Sequence, residues 1–217
     1  MNNRILGKEW ERYLQLKKER PDSFKENGLL HIVWDEEVVA RYELEHGKKI
    51  GVIYESPYHI LVVDLVYETQ GKYFAYERIM QTVQKGAVVV VPVYNNKLIL
   101  LKQYRHAIRD YQFSFPRGFG EPDISAEENV KKELCEEIGA QTGNVVYLGK
   151  LTPDSGMSAS MVSIYACQVL SYDAKARSEA IADILELTLE ELQQWIVEGK
   201  ITDGFTISGI GMYGMRK

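Results

Sequence analysis

The segment from Gly118 to Ala140, GFGEPDISAEENVKKELCEEIGA, defines both ends of one helix and the character of each of its faces. Ser125 followed by Glu128 is a capping box, in which two side chains reciprocally satisfy free backbone N–H groups of the first turn, so the helix is predicted to begin at Ala126. Gly139 is suited to end it in a left-handed turn that costs glycine little. At about 100° per residue, Ala126, Val130, Leu134 and Ile138 fall on one apolar stripe. Glu133, Glu136 and Glu137 form an arc beside it, with Glu137 nearest the stripe, so the acids border the buried face.

These three glutamates are related by i+3 and i+4 steps, so their carboxylates crowd and repel one another by a few tenths of a kcal/mol per pair when exposed. A divalent cation reverses that penalty. Magnesium takes hard oxygen ligands, keeps some waters, and commonly joins one or two protein carboxylates to phosphate oxygens. The same spacing also describes an ordinary solvated helix face, and from the three acids alone both readings stand.

Elsewhere the chain reads as short strands with interspersed helices. From Leu6 to Leu16, the apolar positions Leu6, Trp10, Tyr13 and Leu14 suit one face of an amphipathic helix ending before Pro21. The runs LLHIVW, VVARYEL, KIGVIYE and HILVVDLVYE, rich in β-branched and aromatic residues, read as strands, giving residues 1–83 as a helix and a small β-rich extension. A second domain is expected over residues 84–217. AVVVVPV and KLILLKQY are predicted to pair antiparallel through Tyr94-Asn95-Asn96-Lys97, where the Asn pair tolerates positive φ. VVYLGKL and MVSIYACQVL follow the capped helix as strands, DILELTL leads into a helix around Leu189 to Glu198, and another helix follows Asp203. This mixture predicts an α/β or α+β layered domain.

Charge excludes some partners. A net charge of −5 gives no general electrostatic reason to bind nucleic acid or an anionic membrane, both of which need a local excess of Lys and Arg. No apolar run reaches the roughly 18 residues of a spanning helix, and the first twenty residues lack the apolar centre of a signal peptide, so the protein is expected to be cytoplasmic. Cys135 and Cys167 form no CxxC pair and read as reduced packing residues; the four histidines show no ligand spacing, and no G-x-S-x-G elbow occurs. The late glycines Gly204, Gly209, Gly211 and Gly214 read as sites of close helix packing rather than a dinucleotide fingerprint.

The complete glutamate segment resembles the Nudix box, G-x5-E-x7-R-E-U-x-E-E-x-G-U, with U a bulky aliphatic residue. Gly118, Glu133, Leu134, Glu136, Glu137 and Gly139 match in register. Ile124 stands where the pattern has Glu, Lys132 stands where it has Arg, and Ala140 is a smaller aliphatic. Lysine lacks the planar fork by which arginine orients a neighbouring carboxylate. KLILLKQYRHAI followed by FSFPRGFGEP is similar to the approach to the box in the ADP-ribose pyrophosphatase branch, with Ser114 replacing the Glu of E-L-P-x-G. WIVEGKITDGFTISGI resembles the closing helices of that branch, so the likeness spans roughly residues 85 to 215.

The resemblance implies an α/β fold, an α/β/α sandwich with a mixed sheet, preceded by the small β-rich N-terminal extension. It also implies a homodimer. The implied reaction is attack of a metal-activated water on one phosphorus of a nucleoside diphosphate derivative, ADP-ribose or a related nucleotide sugar, using Mg2+ with Mn2+ as a substitute. By position, Glu133, Glu136, Glu137 and the Gly118 carbonyl are the implied metal ligands, with Glu136 and Glu137 also counted as catalytic. Arg105 of QYR is the implied phosphate contact, with a surface ion pair as its alternative, and Tyr104 is expected in the core. The general base in this branch resembles a glutamate on a loop after the box. Glu179, in KARSEAIAD, matches that location best, with Asp183 and Asp154 as rivals. Ile124, Lys132 and Ser114 support the competing expectation, a catalytically weak nucleotide-binding or regulatory module on the same fold.

Overall fold

The computed structural model describes residues 6–26, 28–68, 71–175 and 180–216, and divides the chain into two compact units. The first comprises Met1–Thr82 and Asp154–Ser160; the second comprises Val83–Pro153 and Met161–Lys217.

In the first unit, helix α1 (Lys8–Glu19) buries Trp10, Tyr13 and Leu16, and a 3-10 turn (Pro21–Phe24) follows at Pro21. Strand β1 (Leu30–Ile32), helix α2 (Glu36–His46) and strands β2 (Gly51–Glu55), β3 (His59–Glu68) and β4 (Tyr73–Gln81) complete it. The pairings among these strands are antiparallel and centre on β3, which carries β1 near Val66, β2 near Val63 and β4 along most of its length. The segment 154–160 joins this unit through Ile79, whose amide and carbonyl bond Met157 and Ala159.

VVARYEL, read above as a strand, is most of α2. Its helix-forming ends outweigh its two valines. The Asp35 carboxylate accepts from the amides of Glu37 at 2.9 Å and Val38 at 3.1 Å, and Gly47 closes the helix with φ 64°. Strand β4 had no counterpart in the sequence reading.

One buried polar network ties this unit together. Asp64, 3% exposed, accepts from the Tyr13 hydroxyl and from Arg78, whose Nε lies 2.5 Å and Nη2 3.1 Å from the carboxylate. Arg78 also donates to the Ser23 carbonyl at 2.7 Å. Burial and the neighbouring Asp64 charge raise the Tyr13 pKa, so the phenol remains a donor.

The second unit is a sheet covered on both faces. Its strands are β5 (Val88–Tyr94), β6 (Lys97–Arg105), β7 (Asp110–Ser114), β8 (Arg117–Gly118), β9 (Gln141–Leu151), β10 (Val162–Ser171) and β11 (Ile181–Leu187). The main order is β11-β6-β5-β10-β9, with β7 beside β6 and β8 beside β5. β10 runs parallel to β5 and the other pairs are antiparallel, so the sheet is mixed. The β5–β6 turn is the expected one, with Asn95 and Asn96 at φ 47° and 64°.

The period of two along β5 separates the layers. Val88 and Val90 pack with Val130, Leu134 and Ile138 of helix α3 (Ala126–Ile138). Val89 and Val91 pack on the opposite side with Leu192 of α4 (Leu189–Val197) and Ile210 of α5 (Gly204–Gly214). This is the α/β/α sandwich expected. Val130, Leu134 and Ile138 have no exposed surface, and each contributes roughly 1.5–3 kcal/mol by burial. Gly209 lets α5 approach closely, since a Cβ there would lie 3.2 Å from both Phe115 and Val91, whereas Gly204 and Gly211 face open space. Cys167 is buried, with burial pushing its thiol pKa up to about 11, while Cys135 is exposed and does not pack as expected. Tyr104 is half-buried against Tyr111 rather than in the core. Among the described residues, no helix is long and apolar enough to cross a membrane.

Asp64→Ala would leave the largely buried Arg78 guanidinium without its carboxylate. It is expected to cost about 3–5 kcal/mol in urea unfolding, and a loss under about 1 kcal/mol would show that the network is dispensable.

Candidate functional site

Helix α3 is held at both ends as its sequence specifies. The Ser125 hydroxyl accepts from the Glu128 amide at 3.2 Å, and the Glu128 carboxylate accepts from the Ser125 amide at 2.8 Å. Gly139, at φ 60°, donates its N–H to the Cys135 carbonyl. With the apolar stripe fixed on the sheet, Glu137 is 1% and Glu133 8% exposed, while Glu136 points outward with 54% of its side chain exposed.

The loop before the helix is pressed against it. Gly118 pairs with Val88 on β5, and a Cβ built on Gly118 would lie 1.8 Å from Glu133 Oε1, so the Glu133 carboxylate occupies the space that glycine leaves. Gly120 crosses the backbone near Lys85 so closely that a Cβ would lie 1.7 Å from the Lys85 carbonyl oxygen. Fully buried Asn129 donates its side-chain amide to the Gly86 carbonyl at 2.9 Å and the Phe119 carbonyl at 2.8 Å. Lys132 forms a short ion pair with Glu121 and lies 3.4 Å from Glu136. Its pKa is raised, first by the hydrogen bond to Glu121 and less by the charge of Glu136.

Around the sheet end, Arg105 donates to the buried Ser114 hydroxyl at 2.9 Å. Arg117 pairs with Asp203 at 2.9 Å and lies over the Phe205 ring at 5.0 Å. Asp203 in turn caps α5 through the Thr206 amide at 3.0 Å, and the Thr206 hydroxyl accepts from the Phe115 amide. Asn129, Glu121 and Arg117 were not singled out in the sequence, and Asp203 appeared there only as the residue before the last helix. Arg117 carried a signal, as the sole Lys or Arg between Arg109 and Lys131.

Residues 83–203 match the NUDIX domain, more than half of the 217-residue chain. The chain belongs to the Nudix family. A methanol dehydrogenase activator from Bacillus methanolicus is 28% identical over 129 residues, 58% of this chain and 70% of the activator. The ADP compounds hydrolase NudE from Escherichia coli K12 is 32% identical over 108 residues, which span 50% of this chain but only 57% of the hydrolase. A crystal structure of an ADP compounds hydrolase superposes with a TM-score of 0.66 at 20% identity, covering 76% of this chain and 89% of that one, a likeness of fold. The general chemistry of the family is Nudix-type hydrolysis of a diphosphate linkage in a nucleotide-derived substrate, typically with a divalent metal.

The Nudix box of this chain suits such a metal in donor type. Its acids offer hard oxygens, and the Gly118 cradle brings the Glu133 carboxylate against the loop backbone. The acids are not drawn together, however: among the described residues, no three Asp, Glu, His or Cys side chains form a metal-holding group. Lys132, 3.4 Å from Glu136, stands beside the outermost acid of the box. Glu179 lies outside the described residues. Its rival Asp183 falls within β11, bonding the following Ile184 amide at 2.9 Å, and Asp154 belongs to the first unit.

The two box glycines are expected to fail differently when replaced. Gly120→Ala forces backbone against backbone at Lys85, whereas Gly118→Ala meets only side-chain atoms, the carboxyl group and Cγ of Glu133. Denaturant unfolding should therefore show a loss of about 1–3 kcal/mol or more for Gly120→Ala and a smaller one for Gly118→Ala. Equal stabilities would contradict this account of the loop.

Proposed function

We propose that this chain hydrolyses the diphosphate linkage of a nucleoside diphosphate derivative, with ADP-ribose or a related nucleotide sugar as substrate and Mg2+ as cofactor, replaceable by Mn2+. The observation that carries the reading is the seating of Glu133 against Gly118 at the edge of a capped helix that also presents Glu136 and Glu137. The similarity to NudE supports an ADP-containing substrate.

In this reading Glu133, Glu136, Glu137 and the Gly118 carbonyl hold the metal. When bound, the metal neutralises phosphate charge and lowers the pKa of the attacking water. The protein's own contribution is placement: the capping box and buried stripe hold the helix still, and the loop contacts of Asn129 hold the Gly118 backbone beside it. Arg105, which donates to the Ser114 hydroxyl, is the proposed phosphate contact. Glu179 is the proposed general base, accepting the proton of the attacking water. The homodimer implied by the family remains part of the proposal.

A second reading has its own support. The similarity to a methanol dehydrogenase activator favours a regulatory protein on the Nudix fold. Ile124, Lys132 and Ser114, which depart from the box and its approach, point the same way.

The readings separate in one assay. Purified protein with Mg2+ is incubated with ADP-ribose, other nucleotide sugars, dinucleoside polyphosphates and nucleoside triphosphates, and the products are followed by phosphorus NMR. Hydrolysis of a nucleoside diphosphate derivative to two monophosphates is expected, and Glu136→Gln and Glu137→Gln should each lower it by about a hundredfold or more at subsaturating Mg2+. No turnover across the panel would favour the regulatory reading; near-normal activity in both variants would remove the helix from the chemistry.

A further inference from the structure

We infer that Glu121 is a positioning residue for metal binding: it holds the Lys132 ammonium toward the loop and thereby leaves the Glu136 carboxylate available to a divalent cation. The inference rests on the metal reading given above. One ammonium here faces two carboxylates, and the two contacts are unequal. Lys132 Nζ makes its close hydrogen-bonded ion pair with Glu121 Oε1, while Glu136 Oε1, one turn along the helix, stands at 3.4 Å.

The side chains of Lys132, Glu121 and Glu136 are 38%, 45% and 54% exposed, so solvent screening limits each pair to about a fivefold effect on an equilibrium. Such a contact does little for the fold and is sufficient to bias which acid the ammonium satisfies. Without Glu121, the carboxylate of Glu136 becomes the near partner of Lys132. A divalent cation at Glu136 would then compete with a resident positive charge.

The sequence context explains why the acid stands at this position. The family pattern places a Glu at the position of Ile124, which here is a half-buried aliphatic residue. Glu121 lies three residues earlier in the same loop and supplies the carboxylate that meets the helix cation. The loop is anchored independently by Asn129, through Phe119 and Gly86, and by the Ser125 cap. Removing the Glu121 charge therefore leaves the loop in place.

The test is Mn2+ affinity, read by electron paramagnetic resonance of free Mn2+, for wild type, Glu121→Gln, Lys132→Gln, the double variant and Glu137→Gln, each with a melting curve. Glu121→Gln is expected to weaken Mn2+ binding by about two- to fivefold without lowering the melting temperature. In the Lys132→Gln background the same substitution is expected to change affinity little, because its effect passes through the lysine. An equal loss in both backgrounds would mean that Glu121 acts by its own charge on the metal and overturns the inference. So would an unchanged affinity in Glu121→Gln while Glu137→Gln abolishes binding, a result that spares the metal reading. Wild type that binds no Mn2+, or Glu137→Gln that binds as wild type does, overturns the metal reading and this inference with it.

Discussion

Glu133 fills the space in which any residue other than glycine at position 118 would place its Cβ. That contact exists because two pieces of backbone are fixed on either side of it. One is β8, paired with β5 at Val88 and Val89. The other is α3, pinned to the same strand from above by Val130, Leu134 and Ile138 and closed at its ends by the Ser125–Glu128 box and Gly139. The acids of the helix are thus carried to the margin of the core by apolar packing. Glu133 and Glu137 are buried there, while Glu136 faces solvent.

Positive charge stands beside the outermost of those acids, Glu136. Lys132 stands between Glu121 and Glu136, and Arg117 is engaged with Asp203 at the start of α5. The protein therefore balances part of the box charge with its own lysine. A divalent cation brings a larger charge and more ligand positions than an ammonium. It need only exceed an exposed ion pair, which is weak, to claim Glu136. In this view the site has two states of charge compensation, one internal and one supplied by the metal.

Much of this was legible in the sequence, for physical reasons. A capping box and a C-terminal glycine are local signals, and α3 begins and ends where they place it. The Asn95-Asn96 turn and the strands around it were equally local, as positive φ is a property of the residue itself. VVARYEL was misread because its valines suggest a strand, while the deciding contacts lie at its ends, in Asp35 and Gly47. The Glu121–Lys132 pair joins residues eleven apart across a loop, and Arg117–Asp203 joins residues 86 apart. Neither spacing has a periodic signature. The grouping of 154–160 with the first unit depends on hydrogen bonds to Ile79, and no property of DSGMSAS announces it.

The central claim is that the α3 acids and the Gly118 backbone form one metal site. It is tested most directly by anomalous diffraction from crystals grown with Mn2+. The account predicts a peak in coordination contact with Glu133, Glu136, Glu137 and the Gly118 carbonyl, with the Glu136 carboxylate moved off Lys132. A peak held by other residues, or no peak while Lys132 still lies beside Glu136, would contradict it.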